Sequence, residues 1–208
     1  MDPISKVNLE RLTNGIYAFT MTLMIRNIQA PAAGSIVDEL SMAKYLVSVL
    51  LSIFDFIGAF IILGMFWLFY FQMFHRMKTY DFRFLHLHLL ALMIVVFVPF
   101  TSSLAGLADE VPAANIFFQL NYLALALILT WQWHYARSRP ALLDPALTEA
   151  GAAFLAQKFL VPLGVAVLGI LLVIIGWGYI DILYFVPLVI LGIFFRHPPD
   201  EADPGSGS

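Results

Sequence analysis

The 208-residue chain has no cysteine, which excludes disulfides and thiolate-held metal sites. Charge is scarce as well. Only 12% of residues are Asp, Glu, Lys or Arg, where a soluble domain has about 25%. No basic run offers a nucleic-acid surface. No Walker loop, nucleophile elbow or metalloprotease motif occurs, so no enzyme activity is expected. No secretory signal is expected either: Asp2, Lys6, Glu10 and Arg11 precede the first apolar run, and no small-residue cleavage site follows it. Apolar residues are abundant. They make up 61% of the chain, and the mean hydropathy is +0.87. That balance belongs to an integral membrane protein, here one compact helical bundle at the cell membrane.

Apolar runs predict a single domain, residues 1–196, with six transmembrane helices at about 9–30, 43–74, 84–106, 113–136, 157–177 and 180–195. The second run exceeds what a bilayer needs and is expected to tilt or protrude. The last two form a tight hairpin turning near Gly178 and Tyr179. Residues 137–156, with Pro140, Pro145 and Gly151, read as a linker with room for a short amphipathic helix. Residues 197–208 read as a disordered tail, and their closing Gly-Ser-Gly-Ser as an expression remnant.

Six crossings place both termini on one side. Nine basic residues then share that side: Lys6, Arg11, Arg76, Lys78, Arg83, Arg137, Arg139, Lys158 and Arg196. Only Arg26 and Lys44 fall on the other, with Asp38, Glu39, Asp109 and Glu110. The positive-inside rule makes both termini cytoplasmic.

The first run is the least uniform. Gly15, Phe19, Thr22 and Arg26 recur at steps of four, three and four, so they share one side of a helix. Lipid rewards neither Thr22 nor Arg26. A helix lining a water path, or packing on other helices, can use both. Each residue also has a plainer reading. Thr22 can return its proton to a carbonyl one turn back. Phe19 can simply pack. Arg26 can snorkel to the headgroups or pair with Asp38 or Glu39. Asp55, inside the second run, is protonated, hydrogen-bonded to a neighbouring helix, or near the outer interface. Trp177, Tyr179 and Asp181 read as interfacial.

Two stretches resemble a known family. One is the opening helix. The other runs from Phe60, Leu63-Gly64 and Phe66-Trp67 through Phe74, Asp81 and Phe84-Leu85-His86-Leu87-His88-Leu89-Leu90 to Phe97-Val98-Pro99-Phe100-Thr101. Together they are similar to the transmembrane protein 175 family of potassium channels, over residues 8–135 and more weakly beyond, as in a divergent prokaryotic member. The resemblance implies an all-α homotetramer whose first helices line the ion path, without the carbonyl-ring filter of ordinary potassium channels. It places the hydrophobic constriction on Phe19, a selecting hydroxyl layer on Thr22 and the next layer on Arg26, with Gly15 on the same stripe. The family's polar cluster falls on Asn8, Arg11, Leu12, Thr13, Asn14, Tyr70 and His88. Its Phe-Ser-Asp reads Leu12-Thr13-Asn14 here, its leading Arg falls on Asn8, its histidine pair on Tyr70 and Phe71, and its Asn on His88.

The expectation is therefore a cation channel, with K⁺ as permeant ion and no cofactor or bound metal. Its partners are copies of itself and the bilayer. Two alternatives remain. The same fold could select anions or stay closed, because a ring of Arg26 side chains would oppose cations. Or the protein could be a membrane binding or redox protein, with histidines holding haem. His86 and His88 point to different sides of a helix, and His75 and His134 lie near helix ends.

Overall fold

The computed structural model describes residues 5–107, 111–176, 183 and 185–195. Within them the chain is all-helical. Its six α-helices are α1 Lys6–Leu23, α2 Glu39–His75, α3 Phe82–Leu107, α4 Pro112–Arg137, α5 Glu149–Ile174 and α6 Val186–Phe194. Four of these, α2 to α5, are long and apolar enough to cross a membrane. α1 carries Lys6, Glu10 and Arg11 within its 18 residues, and the described part of α6 has nine.

Local chemistry sets most helix starts. The Ser5 hydroxyl accepts from the Asn8 N–H at the head of α1. Asp38 and Ser41 form a reciprocal capping box on α2. Asp81 Oδ1 accepts the Phe84 N–H at 2.9 Å, and Thr148 caps α5. Pro112 opens α4, where its missing N–H costs nothing.

Three elements differ from the sequence expectation. The first helix, expected to reach residue 30, stops at Leu23 and tightens into a 3₁₀ turn over Met24–Asn27. Pro31 and the left-handed Gly34 (φ 79°) follow in the loop. Thr101-Ser102-Ser103, following Pro99-Phe100, reads in the sequence as a helix end, yet it lies inside α3, which continues to Leu107. Thr101 donates back to the carbonyls of Phe97 at 3.3 Å and Val98 at 3.2 Å, which satisfies its hydroxyl within the helix. The linker carries only the 3₁₀ turn Pro140–Leu142 before α5. Asp2, Asp109, Glu110, Trp177 to Tyr179, Asp181, Arg196 and the tail 197–208 lie outside the described residues.

α3, α4 and α5 pack as neighbours, and α1 lies against α3 and α2. Their core is aromatic: Phe66, Phe69, Tyr70, Phe84, Trp133 and Phe159 are almost fully buried. α4 and α5 come so close that a methyl at Gly169 would sit 2.6 Å from Gln119 Oε1. Outward faces remain apolar, as in Leu46, Leu50, Met93, Leu171 and Ile174, and suit acyl chains.

The basic end of the bundle is tied together by its loops. Lys78 and Asp144 donate their N–H groups to the carbonyls of Leu142 and Arg76, at 2.9 and 3.0 Å. Lys6 Nζ donates to the Met77 carbonyl at 2.6 Å. Asp81 accepts the Tyr135 hydroxyl at 2.6 Å and an Arg139 guanidinium N–H at 3.3 Å, and Arg139 also covers the Tyr135 ring at 4.9 Å. Partial burial alone would raise the Asp81 pKa. The Tyr135 hydroxyl, the Phe84 N–H and the charges of Arg139 and Arg83 outweigh it and hold the carboxyl below its ordinary value. A depressed folded pKa stabilises above the unfolded value, and that contribution disappears as pH falls through the folded one. Asp81→Asn is expected to destabilise the protein at neutral pH by about 1–2 kcal/mol. It should also flatten the loss of stability below about pH 4. Thermal melts of both proteins in detergent across that range check this, and parallel acid limbs would refute it.

Candidate functional site

The site is built on the two faces of α1. Leu9, Thr13, Tyr17, Thr20 and Met24, at steps of four, four, three and four, are buried to 2% exposure or less against the bundle. The face turned away from the bundle carries Gly15, Phe19 and Thr22, all exposed, with Phe19 at 62%. The stripe picked out by spacing is thus the outward face of α1 in a single chain.

Arg26 follows a different path. A 3₁₀ turn advances about 120° per residue, where an α-helix advances about 100°. The Met24–Asn27 turn therefore rotates Arg26 partly away from the line it would keep in a continued α-helix, toward one edge of the stripe, and it stays exposed. Among the described residues Arg26 forms no ion pair. Asp38, considered as its partner, instead accepts the Ser41 N–H at 2.7 Å. That bond and the Ser41 hydroxyl hold the Asp38 carboxyl low. Thr22 donates its proton to the Phe19 carbonyl at 2.8 Å, so its lone pairs remain on the outward face.

The cluster implied by the resemblance divides. Thr13, Tyr70 and His88 meet in the interior. His88 is fully buried, with Nε2 2.7 Å from Thr13 Oγ1, and its ring meets Tyr70 edge-on at 4.8 Å. The proton positions follow from the partners. The single Thr13 hydroxyl proton goes to the Leu9 carbonyl at 2.8 Å, so His88 must donate from Nε2. Its Nδ1 is then an acceptor, facing the Gln132 amide nitrogen at 3.5 Å. The result is a relay from α4 through α3 into α1, carried by a neutral imidazole. With both nitrogens engaged, His88 as placed offers none to a haem iron.

Asn14 belongs to a separate contact, accepting the Trp67 indole N–H at 2.8 Å. It lies beside a cavity of about 290 Å³ between α1 and α2, lined by Lys6, Glu10, Trp67, Phe71 and His75 among others. Asn8, Arg11 and Leu12 are exposed on the first turns of α1 and do not join the interior cluster. Gln132 and Trp67 were missed as partners. A glutamine deep in an apolar helix was the signal available for the first. Asp55 is half-buried in α2 and faces Gly106 of α3.

Removing the buried hydroxyl tests the relay. Thr13→Val keeps the shape but leaves the His88 N–H unpaired, and is expected to destabilise by about 1–3 kcal/mol. Thr13→Ser should recover most of that loss. Melts that leave both variants indistinguishable from the parent would show that the bond does not hold α1.

Comparison with known proteins bears on the fold. The family described as "Endosomal/lysosomal potassium channel TMEM175" matches residues 8–99, which contain α1 from Asn8 onward, α2, and α3 as far as Pro99. A potassium channel of Chamaesiphon minutus is 26% identical over 138 residues, 65% of this chain and 68% of that protein. One from Streptomyces collinus is 28% identical over 158 residues, 69% and 70% of the two chains. The crystal structure of a lysosomal potassium-selective channel TMEM175 homolog from Chamaesiphon minutus shares the fold. Its TM-score is 0.76 at 21% identity, covering 95% of this chain and 98% of the other. The chain is thus an integral membrane protein, similar to the TMEM175 family over residues 8–99 and to prokaryotic potassium channels over about two thirds of its length.

Proposed function

We propose that this protein is a potassium-conducting channel of the cell membrane, formed by four copies around a shared axis with α1 lining the path. The observation that carries the reading is the two-faced α1. One face is locked into the bundle by Thr13 and His88, and the other presents Gly15, Phe19 and Thr22 outward. The relatives named as potassium channels support the choice of ion.

On this reading the chain crosses the membrane six times, with its basic end cytoplasmic. Phe19 rings form an apolar constriction that closes by dewetting. Thr22 has already given its proton to Phe19, so it offers oxygen lone pairs, the group a partly dehydrated K⁺ accepts. No enzymatic role, cofactor or metal is needed.

Arg26 favours a second reading, an anion-selective or non-conducting pore, because it is exposed and lacks an ion pair among the described residues. Unit charges ~8 Å apart repel by about 2 kcal/mol at an effective dielectric of ~20. The 3₁₀ turn moves Arg26 to the edge of the stripe, and its long stem can reach the headgroups, which supports the cation reading.

Flux from proteoliposomes under K⁺, Na⁺ and Cl⁻ gradients separates the two. K⁺ flux is expected, and Phe19→Ala should raise it severalfold by widening the constriction. Arg26→Leu should change it less than twofold if the guanidinium lies at the headgroups. A rise approaching tenfold would place Arg26 in the path. Chloride selectivity would overturn the potassium reading, and the absence of all flux would overturn the channel.

A further inference from the structure

The start of α3 carries a basic cluster on the side opposite the buried His88, on a different helix from the outward stripe of α1. Phe82, His86, Leu89, Met93, Val96 and Phe100 recur at steps of four, three, four, three and four, so they share one face of α3. All six are exposed, and only His86 is polar. At 1.5 Å per residue the face is about 27 Å long, against about 30 Å for the hydrocarbon of a bilayer. α3 is itself apolar enough to cross a membrane, and beyond His88 it has no basic residue. An acyl chain can lie along this face, and charge meets it at one end.

Three groups at that end are left for an outside anion. His86 Nδ1 lies 2.6 Å from the Phe82 carbonyl, which only accepts, so Nδ1 carries a proton. Its Nε2 has no partner among the described residues, and a second proton bound there can be donated outward. Arg83, exposed three residues earlier, forms no ion pair among the described residues. Arg139 gives Asp81 a single guanidinium N–H at 3.3 Å and keeps 45% side-chain exposure. Both guanidiniums surround one carboxyl, because the charge of Arg83 also lowers the Asp81 pKa. Two positive charges on one negative leave an excess. The other acids of this end are engaged elsewhere: Asp144 accepts the Ala146 N–H, Glu149 opens α5, and Glu10 faces Lys6 at 3.8 Å.

Guanidinium pairs with phosphate through two parallel N–H groups. A phosphate at the head of an apolar face, with alkyl chain below it, is a phospholipid. A headgroup carrying its own ammonium would set a positive charge against Arg83 and Arg139, so a net-negative headgroup fits better. Phe82, 67% exposed, stands where interfacial aromatics do.

We propose that Arg83, His86 and Arg139 hold the phosphate of an anionic phospholipid, whose acyl chain lies on the face of Leu89, Met93 and Val96. The site needs only that α3 cross the membrane and does not rest on the conducting path proposed above. A bound lipid steadies the helix from which His88 reaches Thr13.

The test is thermal melting of the purified protein in a neutral detergent, titrated with phosphatidylglycerol, phosphatidylcholine or inorganic phosphate. Phosphatidylglycerol is expected to raise the melting temperature saturably by about 3–5 °C, and the other two by less than about 1 °C. Arg83→Gln should move the midpoint of the rise to severalfold more phosphatidylglycerol. Arg11→Gln removes a charge at the same end of the bundle, on α1, and should leave the midpoint in place. No rise with phosphatidylglycerol, or an equal rise with phosphatidylcholine, overturns the proposal. So does a midpoint unmoved by Arg83→Gln, or moved as far by Arg11→Gln. An equal rise with inorganic phosphate would assign the cluster to a free anion and overturn the lipid. Should Arg83→Gln fail to fold, His86→Leu, which suits the apolar face, decides, and an unmoved midpoint there overturns it.

Discussion

The hydrogen bond between His88 and Thr13 sets the rotation of α1 about its own axis. It lies in a dry interior, where leaving either group unpaired costs far more than it would at a wet surface. Gln132 supports the imidazole from behind, and the Leu9 carbonyl takes the last proton. Turning α1 by one residue, ~100°, would break this chain and pull Leu9, Tyr17 and Met24 out of the core. The outward position of Gly15, Phe19 and Thr22 is therefore a consequence of what α1 buries. In this sense the outward face is specified from the opposite side of the helix.

The remaining polar groups follow the same rule by different means. Along the spans, hydroxyls return their protons to their own helix: Ser52 to Ser48, Thr101 to Phe97 and Val98, Thr130 to Ala126. Each satisfies itself locally and can sit near acyl chains. Charges are handled at the ends. Asp81 combines a helix cap, a tyrosine hydroxyl and an arginine at the basic end, where water and headgroups remain within reach. Asp55 is placed differently, a carboxylate well along α2 beside Ser52, Ser102 and Ser103.

Much of this was legible in the sequence. Long Leu, Ile, Val and Phe runs announce helices because hydrocarbon tolerates little else. The stripe was legible because steps of three and four must coincide on a helix. The resemblance also pointed to Thr13, Tyr70 and His88, which the structure brings together. Other features were not legible, for definite reasons. Met24-Ile25-Arg26-Asn27-Ile28 is nearly as apolar as the helix before it, so nothing local marks the end at Leu23. Pro99 reads as a stop in water, but α3 continues past it to Leu107. Gln132 lies 44 residues from His88 and Tyr135 lies 54 from Asp81, so only the folded bundle discloses those pairs. Asn8, Arg11 and Leu12 share a sequence neighbourhood with Thr13, yet helical geometry turns them to the surface.

The tied loops have a mechanical implication. Lys6 grips the turn after α2, that turn pairs with the segment after α4, and Asp81 ties the start of α3 to the end of α4. These helices are thus stapled at one pole, like blades on a common rivet. The far pole has fewer ties: a 3₁₀ turn, with poorer hydrogen-bond geometry than the α-helix it follows, is held by the bonds from Asn27 to Pro99 and from Tyr45 to Gln29. Strain arriving from the lipid would reach that tip of α1 before it disturbs the root.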